Sequence, residues 1–153
     1  MKAAPTRSQR QTFRVDERAQ AGSPPQQQFS RRVSQMPKFM FLQYVDESRA
    51  PRPGTPELDK EIAQYGQLFE EIQKAGVLRG GDPMQPSAAT FSVQVNGGDQ
   101  PTTTDGPMQK GGPWLNGYWV LECSDRDEAV AWAAKIPAAH GGGTVEVHPI
   151  ASM

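Results

Sequence analysis

Hydrophobic residues recur with two different periods after residue 35, and these periods predict the secondary structure. Lys38 to Val45 is a short apolar run rich in aromatic residues, which predicts a first strand. Thr55 is a predicted helix N-cap, and from Pro56 onward apolar residues return every three or four positions until Gly76 ends the pattern as a C-cap. This apolar stripe consists of Leu58, Ile62, Tyr65, Phe69 and Ile72. The pattern predicts a helix that packs against the rest of the protein with one side.

The region from residue 90 to residue 104 predicts a pair of strands. Phe91, Val93 and Val95 alternate with polar residues, which is typical of a half-buried strand. Residues 96–99 form a turn signal, and residues 102–104 can return as the paired strand.

The last part of the chain predicts a strand, a helix and a final strand. Residues 118–123 form an apolar run, in which Trp119, Leu121 and Cys123 share one face. A helix is predicted for residues 125–136, with Ser124 as its N-cap. The final strand covers residues 144–150.

The order strand, helix, two or three strands, helix, strand predicts an α+β protein. It favours a ferredoxin-like antiparallel sheet with two helices on one face. Two helices leave the other face of the sheet uncovered, and on it we expect a mixture that includes Ser92, Gln94, Glu146 and His148. A mixed face of this kind favours a homodimer that encloses a cavity.

Charge divides the chain into two parts. Residues 1–35 contain seven basic and two acidic residues, and the remainder contains nine basic and fifteen acidic residues. Ordering the first part would cost about 35 to 70 kcal/mol, which its few large apolar residues cannot offset. We therefore predict a disordered basic tail over residues 1–35 and a folded domain over residues 36–153. The acidic domain argues against nucleic-acid binding, which only the tail could supply.

Composition excludes several protein classes. No apolar run approaches the roughly 18 residues that span a bilayer, so we expect no membrane segment. One Cys and two His give no metal-ligand spacing and no internal disulfide, so we predict no metal and no cofactor. A single Cys also favours a reducing compartment, and we expect the protein to be cytoplasmic.

From Met36 onward the sequence resembles the YCII-related domain family, in the subgroup named for its DGPF motif. The resemblance rests on separated segments in the same order, which are KFMFLQYVDE, AGVLRGGDPMQP, TTTDGPM, LNGYWVLECSDRDEAVAWAAKIPAA and TVEVHPI. It implies a ferredoxin-like fold that pairs into a dimeric α+β barrel. Members of the family are mostly uncharacterised and suspected to be enzymes, and genes of this subgroup often lie beside those of sigma factors, so the resemblance also implies an enzyme or a regulatory role.

The chain departs from the subgroup pattern after its central motif. Asp105, Gly106 and Pro107 are kept, but the acidic and lysine-containing stretch that usually follows is replaced by residues 108–113 with the sequence MQKGGP. Any chemistry that depends on a carboxylate in that stretch is therefore in doubt. The last strand has His148 where Arg is common.

Asp105 is the first candidate for a catalytic residue. A carboxylate at a strand end beside the open face could act as a general base or bind a cationic group. The alternative is that Asp105, Gly106 and Pro107 form a structural turn.

His148 is the second catalytic candidate, because Glu146 lies two residues away on the same strand face. The alternative is a partly exposed polar filler. We also expect a small-molecule ligand to contact residues near these two, which are Tyr44, Gly106, Pro107, Tyr118 and Glu146.

Two functions remain open from the sequence. In the first, the protein is a cofactor-free enzyme, similar to a lyase or isomerase, that binds a small organic molecule in a dimer-associated cavity. In the second, it is a non-catalytic ligand-binding or regulatory module linked to sigma-factor or stress regulation. The altered segment after Pro107 favours the second.

Overall fold

The computed structural model describes residues 36–98 and 100–152. The predictions made for residues 1–35 lie outside this part of the chain. The described residues form an α+β fold with two helices and two antiparallel sheets. The strands are β1 Lys38–Val45, β2 Leu78–Pro83, β3 Phe91–Gln94, β4 Thr102–Asp105, β5 Trp114–Glu122 and β6 Thr144–Pro149, and the helices are α1 Pro56–Ala75 and α2 Arg126–Ala133.

The main sheet has four strands in the order β2-β5-β1-β6, and every neighbouring pair is antiparallel. The predicted strands at residues 38–45, 118–123 and 144–150 all belong to it. β2 and β6 are its edge strands, so the described residues form an open sheet and no closed barrel. The barrel that the resemblance implies is therefore not formed within one chain.

Helix α1 begins and ends where the sequence predicts. Thr55 is the N-cap, and its Oγ1 accepts a hydrogen bond from the Leu58 N–H at 3.4 Å. Gly76 follows the last helical residue with φ 71°, a conformation that glycine adopts without strain.

Helix α2 begins one residue later than predicted. Asp125, not Ser124, is the N-cap, and its carboxylate accepts from the Glu128 N–H at 2.9 Å. Glu128 in turn accepts from both the backbone N–H and the hydroxyl of Ser124. Ser124 and Asp125 are adjacent and can both cap a helix. Asp125 becomes the N-cap because Glu128 already accepts the hydrogen bonds from the backbone N–H and the hydroxyl of Ser124.

Both helices pack on one face of the main sheet. The buried cluster joins that face to the helices and consists of Phe39, Phe41, Leu68, Ile72, Val77, Leu121, Cys123, Ala129, Ile136 and Ala138. The predicted alternation of Trp119, Leu121 and Cys123 on the inward face is confirmed, since Phe41 pairs with Trp119 and Phe39 with Leu121.

The apolar stripe of α1 is only partly buried. Ile72 is fully buried, but Ile62 is 61% exposed and Phe69 is 40% exposed, while Leu68 is buried instead. The helix is thus turned so that one edge of its stripe faces the sheet and the other edge borders a cleft.

Strands β3 and β4 form a separate two-stranded sheet, in which Phe91 pairs with Asp105. Ser92 and Gln94 therefore do not lie on the uncovered face of the main sheet, and the expectation that they do was wrong. The expected half-burial of β3 was also wrong, because Phe91 is 65% exposed. Apolar and polar residues do alternate in β3, but within the described residues no other element covers the apolar side of this strand.

No helix within the described ranges has the length and apolar character needed to cross a membrane.

Candidate functional site

The uncovered face of the main sheet carries side chains from all four strands. Its register places Leu42 beside Glu146 on one side and beside Tyr118 on the other, and Tyr118 lies beside Asp82. Neighbouring strands lie about 4.8 Å apart, so Glu146 and Tyr118 flank Leu42 at a separation of about 10 Å. The rows on either side of this one are His148, Met40 and Val120, and Thr144, Tyr44 and Leu115.

His148 and Glu146 form a hydrogen-bonded pair on this face. The His148 Nε2 lies 3.1 Å from the Glu146 Oε2. Both side chains are more than half exposed, so the pair is open to a ligand or a second protein surface. The sequence predicted that the two residues share a face, and the register confirms this through their pairing with Met40 and Leu42.

Two further polar pairs lie toward the β2 edge of the same face. The Tyr118 hydroxyl donates to the Asp82 Oδ2 at 3.0 Å, and this hydrogen bond raises the pKa of Tyr118. Arg79 forms an ion pair with Glu122, and the guanidinium lowers the pKa of that carboxyl. The apolar centre of the face is therefore bordered by paired polar groups on both edges.

The segment Asp105, Gly106 and Pro107 leaves β4 as a turn. Gly106 has φ 90°, its N–H donates to the Thr90 carbonyl at 2.7 Å, and its own carbonyl accepts from the Ser92 hydroxyl at 3.1 Å. These contacts agree with the structural alternative for the segment. Asp105 itself is exposed and lies on the two-stranded sheet, whereas His148 lies on an edge strand of the main sheet. The structure thus places the two catalytic candidates on different sheets.

A pocket of about 510 Å³ lies at the base of the β3-β4 hairpin, and we call it the hairpin-base pocket. Pro107 contributes to its lining together with Met84, Met108, Trp114 and Leu115. Leu115 also belongs to the uncovered face, where it pairs with Tyr44. Of the predicted ligand residues, Pro107 lines this pocket, and Tyr44, Tyr118 and Glu146 share the adjoining face.

A second cavity, of about 480 Å³, lies between α1 and the helix-covered side of β2 and β5, and we call it the α1 cleft. Gln43 lies at its floor and is only 5% exposed, although it is polar. Its Oε1 accepts from the Tyr65 hydroxyl at 2.8 Å. Burial, assisted by the charge of Glu61, raises the pKa of Tyr65 to about 12, so this hydroxyl remains a donor at neutral pH.

Sequence reasoning missed the polar residues of the α1 cleft. The signal for Gln43 was present, because it is a polar residue at an inward position of an otherwise apolar strand. Asn116 also lines the cleft, at a point where the register between β1 and β5 shifts by one residue. A register shift depends on the pairing of two distant segments, so nothing in the local pattern indicates it.

Cys123 is buried in the core at the end of β5. Burial, with smaller contributions from the charges of Glu128 and Asp125, raises the pKa of its thiol to about 11. A thiol of that pKa is protonated at neutral pH and is a poor nucleophile.

Among the residues that the structure describes, no three His, Cys, Asp or Glu side chains come together in a group that could hold a metal ion.

Comparison with known proteins gives one finding on relatedness. A sequence model described as the YCII-related domain matches residues 37–153, which is most of the chain. No curated protein matches the chain significantly.

Proposed function

The chain belongs to the YCII-related domain family, and we propose that it binds a small organic molecule as a homodimer. In this proposal the domain is ferredoxin-like and belongs to the DGPF subgroup. The uncovered sheet faces of two copies pack against each other and complete a dimeric α+β barrel. The ligand lies in a cavity beside this interface.

The strand order supports the ferredoxin-like assignment. Two strand-helix-strand units, β1-α1-β2 and β5-α2-β6, interleave in the order β2-β5-β1-β6 with both helices on one face. The β3-β4 hairpin is inserted between the units and pairs apart from the main sheet.

The side chains of the uncovered face support pairing with a second copy. Its central positions are Met40, Leu42, Tyr44, Tyr118 and Val120, and all are half-buried by their neighbours on the sheet. A second face of the same kind would remove this apolar area from water, at about 25 cal/mol per Å². The polar pairs at the edges would remain at the rim, which is the usual arrangement of an interface.

The observation that carries the ligand proposal is the position of the hairpin-base pocket. Leu115 belongs both to this pocket and to the uncovered face, so a second copy on the face would border the pocket. Its volume of about 510 Å³ lies within the range of about 300 to 1,000 Å³ that is usual for small-molecule sites.

Light scattering across a micromolar concentration series tests the homodimer. We expect twice the chain mass for the native protein and the monomer mass for Leu42→Arg, because the charge would be buried at the centre of the interface. Gln73→Arg adds the same charge to the exposed side of α1 and serves as the control. A native protein that remains a monomer throughout the series would refute the homodimer.

Thermal-shift screening against a metabolite panel tests the ligand site. We expect a stabilising compound whose shift is lost in Pro107→Arg, which fills the hairpin-base pocket, and is kept in Gln73→Arg. A compound that stabilises both variants equally would show that the ligand binds elsewhere.

A cofactor-free enzyme, similar to a lyase or isomerase, is the second candidate function. The Glu146-His148 hydrogen bond favours it, because a carboxylate can orient an imidazole for proton transfer. We expect turnover of the stabilising compound to disappear in His148→Ala and in Asp105→Asn while the fold persists. Binding without turnover would instead favour the regulatory module, acting in the cytoplasm and linked to sigma factors.

A further inference from the structure

We propose that the α1 cleft is a second binding site, separate from the hairpin-base pocket, for an uncharged planar ring compound that carries both a hydrogen-bond donor and an acceptor. The cleft lies on the helix-covered side of the sheet, within one chain. It therefore does not depend on the proposed homodimer.

Two buried polar atoms at the cleft point to the polar part of this ligand. Within the described ranges, the Asn116 Oδ1 and the Trp119 Nε1 are the buried side-chain atoms that have no hydrogen-bond partner. Asn116 and Trp119 both line the cleft. An unpaired buried polar group costs about 1 to 3 kcal/mol, so the acceptor of one lining residue and the donor of the other would each gain from a partner.

The complementary ligand must donate to Asn116 and accept from Trp119. An amide group attached to a ring carries both a donor and an acceptor. A carboxylate fits less well, since it offers only acceptors.

Two exposed apolar side chains point to the ring of the ligand. Ile62 and Phe69 continue the apolar stripe of α1, yet they remain at the rim of the cleft with much of their surface in water. The Phe69 and Trp119 rings lie 6.2 Å apart at an angle of 40°, so a planar ring can pack against an aromatic wall.

The same two side chains provide access to the buried atoms. Neither the Asn116 Oδ1 nor the Trp119 Nε1 is in contact with water, so the wall of the cleft must shift before a ligand reaches them. Exposed side chains change rotamer within nanoseconds, and Ile62 and Phe69 have the room to do so.

Gly66 keeps the helix side of the cleft open. It lies in the interior of α1, where glycine costs about 0.5 to 1 kcal/mol relative to alanine. A Cβ at this position would meet no atom within 4 Å. The chain therefore accepts a poor helix former at a place where a larger side chain would occupy the cleft.

The experiment follows the indole N–H signal of Trp119 by ¹H–¹⁵N NMR while benzamide is added to the full chain. The variant Trp119→Phe removes this indole signal and thereby identifies it in the spectrum. We expect a saturable shift of this signal below about 10 mM benzamide, since even a Kd of about 1 mM would give about nine-tenths occupancy. Benzoate and toluene, which lack the amide donor, should produce at most one tenth of that shift at equal concentration.

Two variants at one position show where the probe binds. Gly66→Leu fills the cleft, and we expect at least a tenfold loss of benzamide affinity. Gly66→Ala leaves most of the volume and should retain affinity within about twofold, with a higher melting temperature because of its helix propensity. Retained affinity in Gly66→Leu would overturn the proposal.

Three other results would also overturn it. They are the absence of any Trp119 shift with benzamide, an equal shift with toluene, and movement of the Trp119 signal on deletion of residues 1–35 without any probe. The last result would mean that the chain itself occupies the cleft. Loss of the proposed function at the hairpin-base pocket leaves each of these readouts unchanged, so the two proposals fail separately.

Discussion

The two faces of the main sheet use the same strands for different purposes. In β1, Phe39 and Phe41 point toward the helices and are buried, whereas Met40 and Leu42 alternate with them on the uncovered face. The covered face is apolar except where Gln43 reaches the α1 cleft. The uncovered face mixes apolar residues with paired polar groups such as Glu146 and His148. One face therefore holds the fold together, and the other is available to a partner.

The two faces should differ most in how much a substitution reduces the free energy of unfolding. Phe41→Ala and Leu42→Ala test this, because they change neighbouring residues of one strand that lie on opposite faces. Phe41 is fully buried, and we expect its loss to reduce the free energy of unfolding by about 3 to 5 kcal/mol. Leu42→Ala should cost less than about 1 kcal/mol at low protein concentration and more at high concentration, because it lies in the proposed interface.

Urea unfolding at two protein concentrations measures both variants. Equal losses in the two variants would show that the uncovered face contributes as much to the fold of one chain as the covered face does.

Thiol chemistry should also distinguish the faces. Burial raises the pKa of Cys123 to about 11, so roughly one thiol in a thousand is ionised at pH 8. We expect Cys123 to react with a disulfide reagent at least about a hundredfold more slowly than a cysteine introduced by Val120→Cys in a Cys123→Ala background. Absorbance of the released thiolate gives both rates, and equal rates would place Cys123 within reach of solvent.

The smallest effect on stability should come from a substitution at the N-terminal cap of α2, the helix that packs on part of the covered face. The hydrogen bonds from Ser124 lower the pKa of Glu128 below its usual value of 4.5. A lowered pKa stabilises the fold at neutral pH, and this stabilisation is lost as the pH falls through the lowered value. Glu128→Gln should therefore lower the melting temperature slightly at pH 7, and this difference should shrink as the pH falls below 4.5.

Calorimetric melting curves at pH 7 and at a series of pH values below 4.5 provide the measurement for Glu128→Gln. Glu70→Gln changes an exposed residue of α1 and serves as the control. A Glu128→Gln difference that does not shrink below pH 4.5 would contradict the assigned role of the charge.

Much of the fold could be predicted from local patterns. The N-cap at Thr55, the C-cap at Gly76 and the alternation in β5 and β6 are confirmed, because each depends on residues within a few positions of one another. The β3-β4 pairing was also predicted. Its separation from the main sheet was not, because alternation defines the two sides of a strand but not what lies against either side.

The candidate site was less predictable than the fold. The shared face of Glu146 and His148 followed from their spacing of two in a strand. The position of Asp105 on a different sheet from His148 did not, because that depends on where the hairpin lies. The α1 cleft was missed because the sequence placed Ile62 and Phe69 in the buried stripe of α1, and only the angle of the helix on the sheet leaves them at a cavity rim.

The sequence by itself determined the caps of α1, the two faces of β5 and β6, and the order of the elements apart from β2, for which it predicted no strand. These properties come from backbone preference and from side-chain periodicity, which act over one or two turns. The tertiary structure alone decided which apolar residues were covered, where the register shifted at Asn116, and that Asn116 and Trp119, each with one unpaired buried atom, both line the α1 cleft. Such outcomes depend on contacts between residues that are distant along the chain, because each buried position requires a partner that the local sequence does not contain.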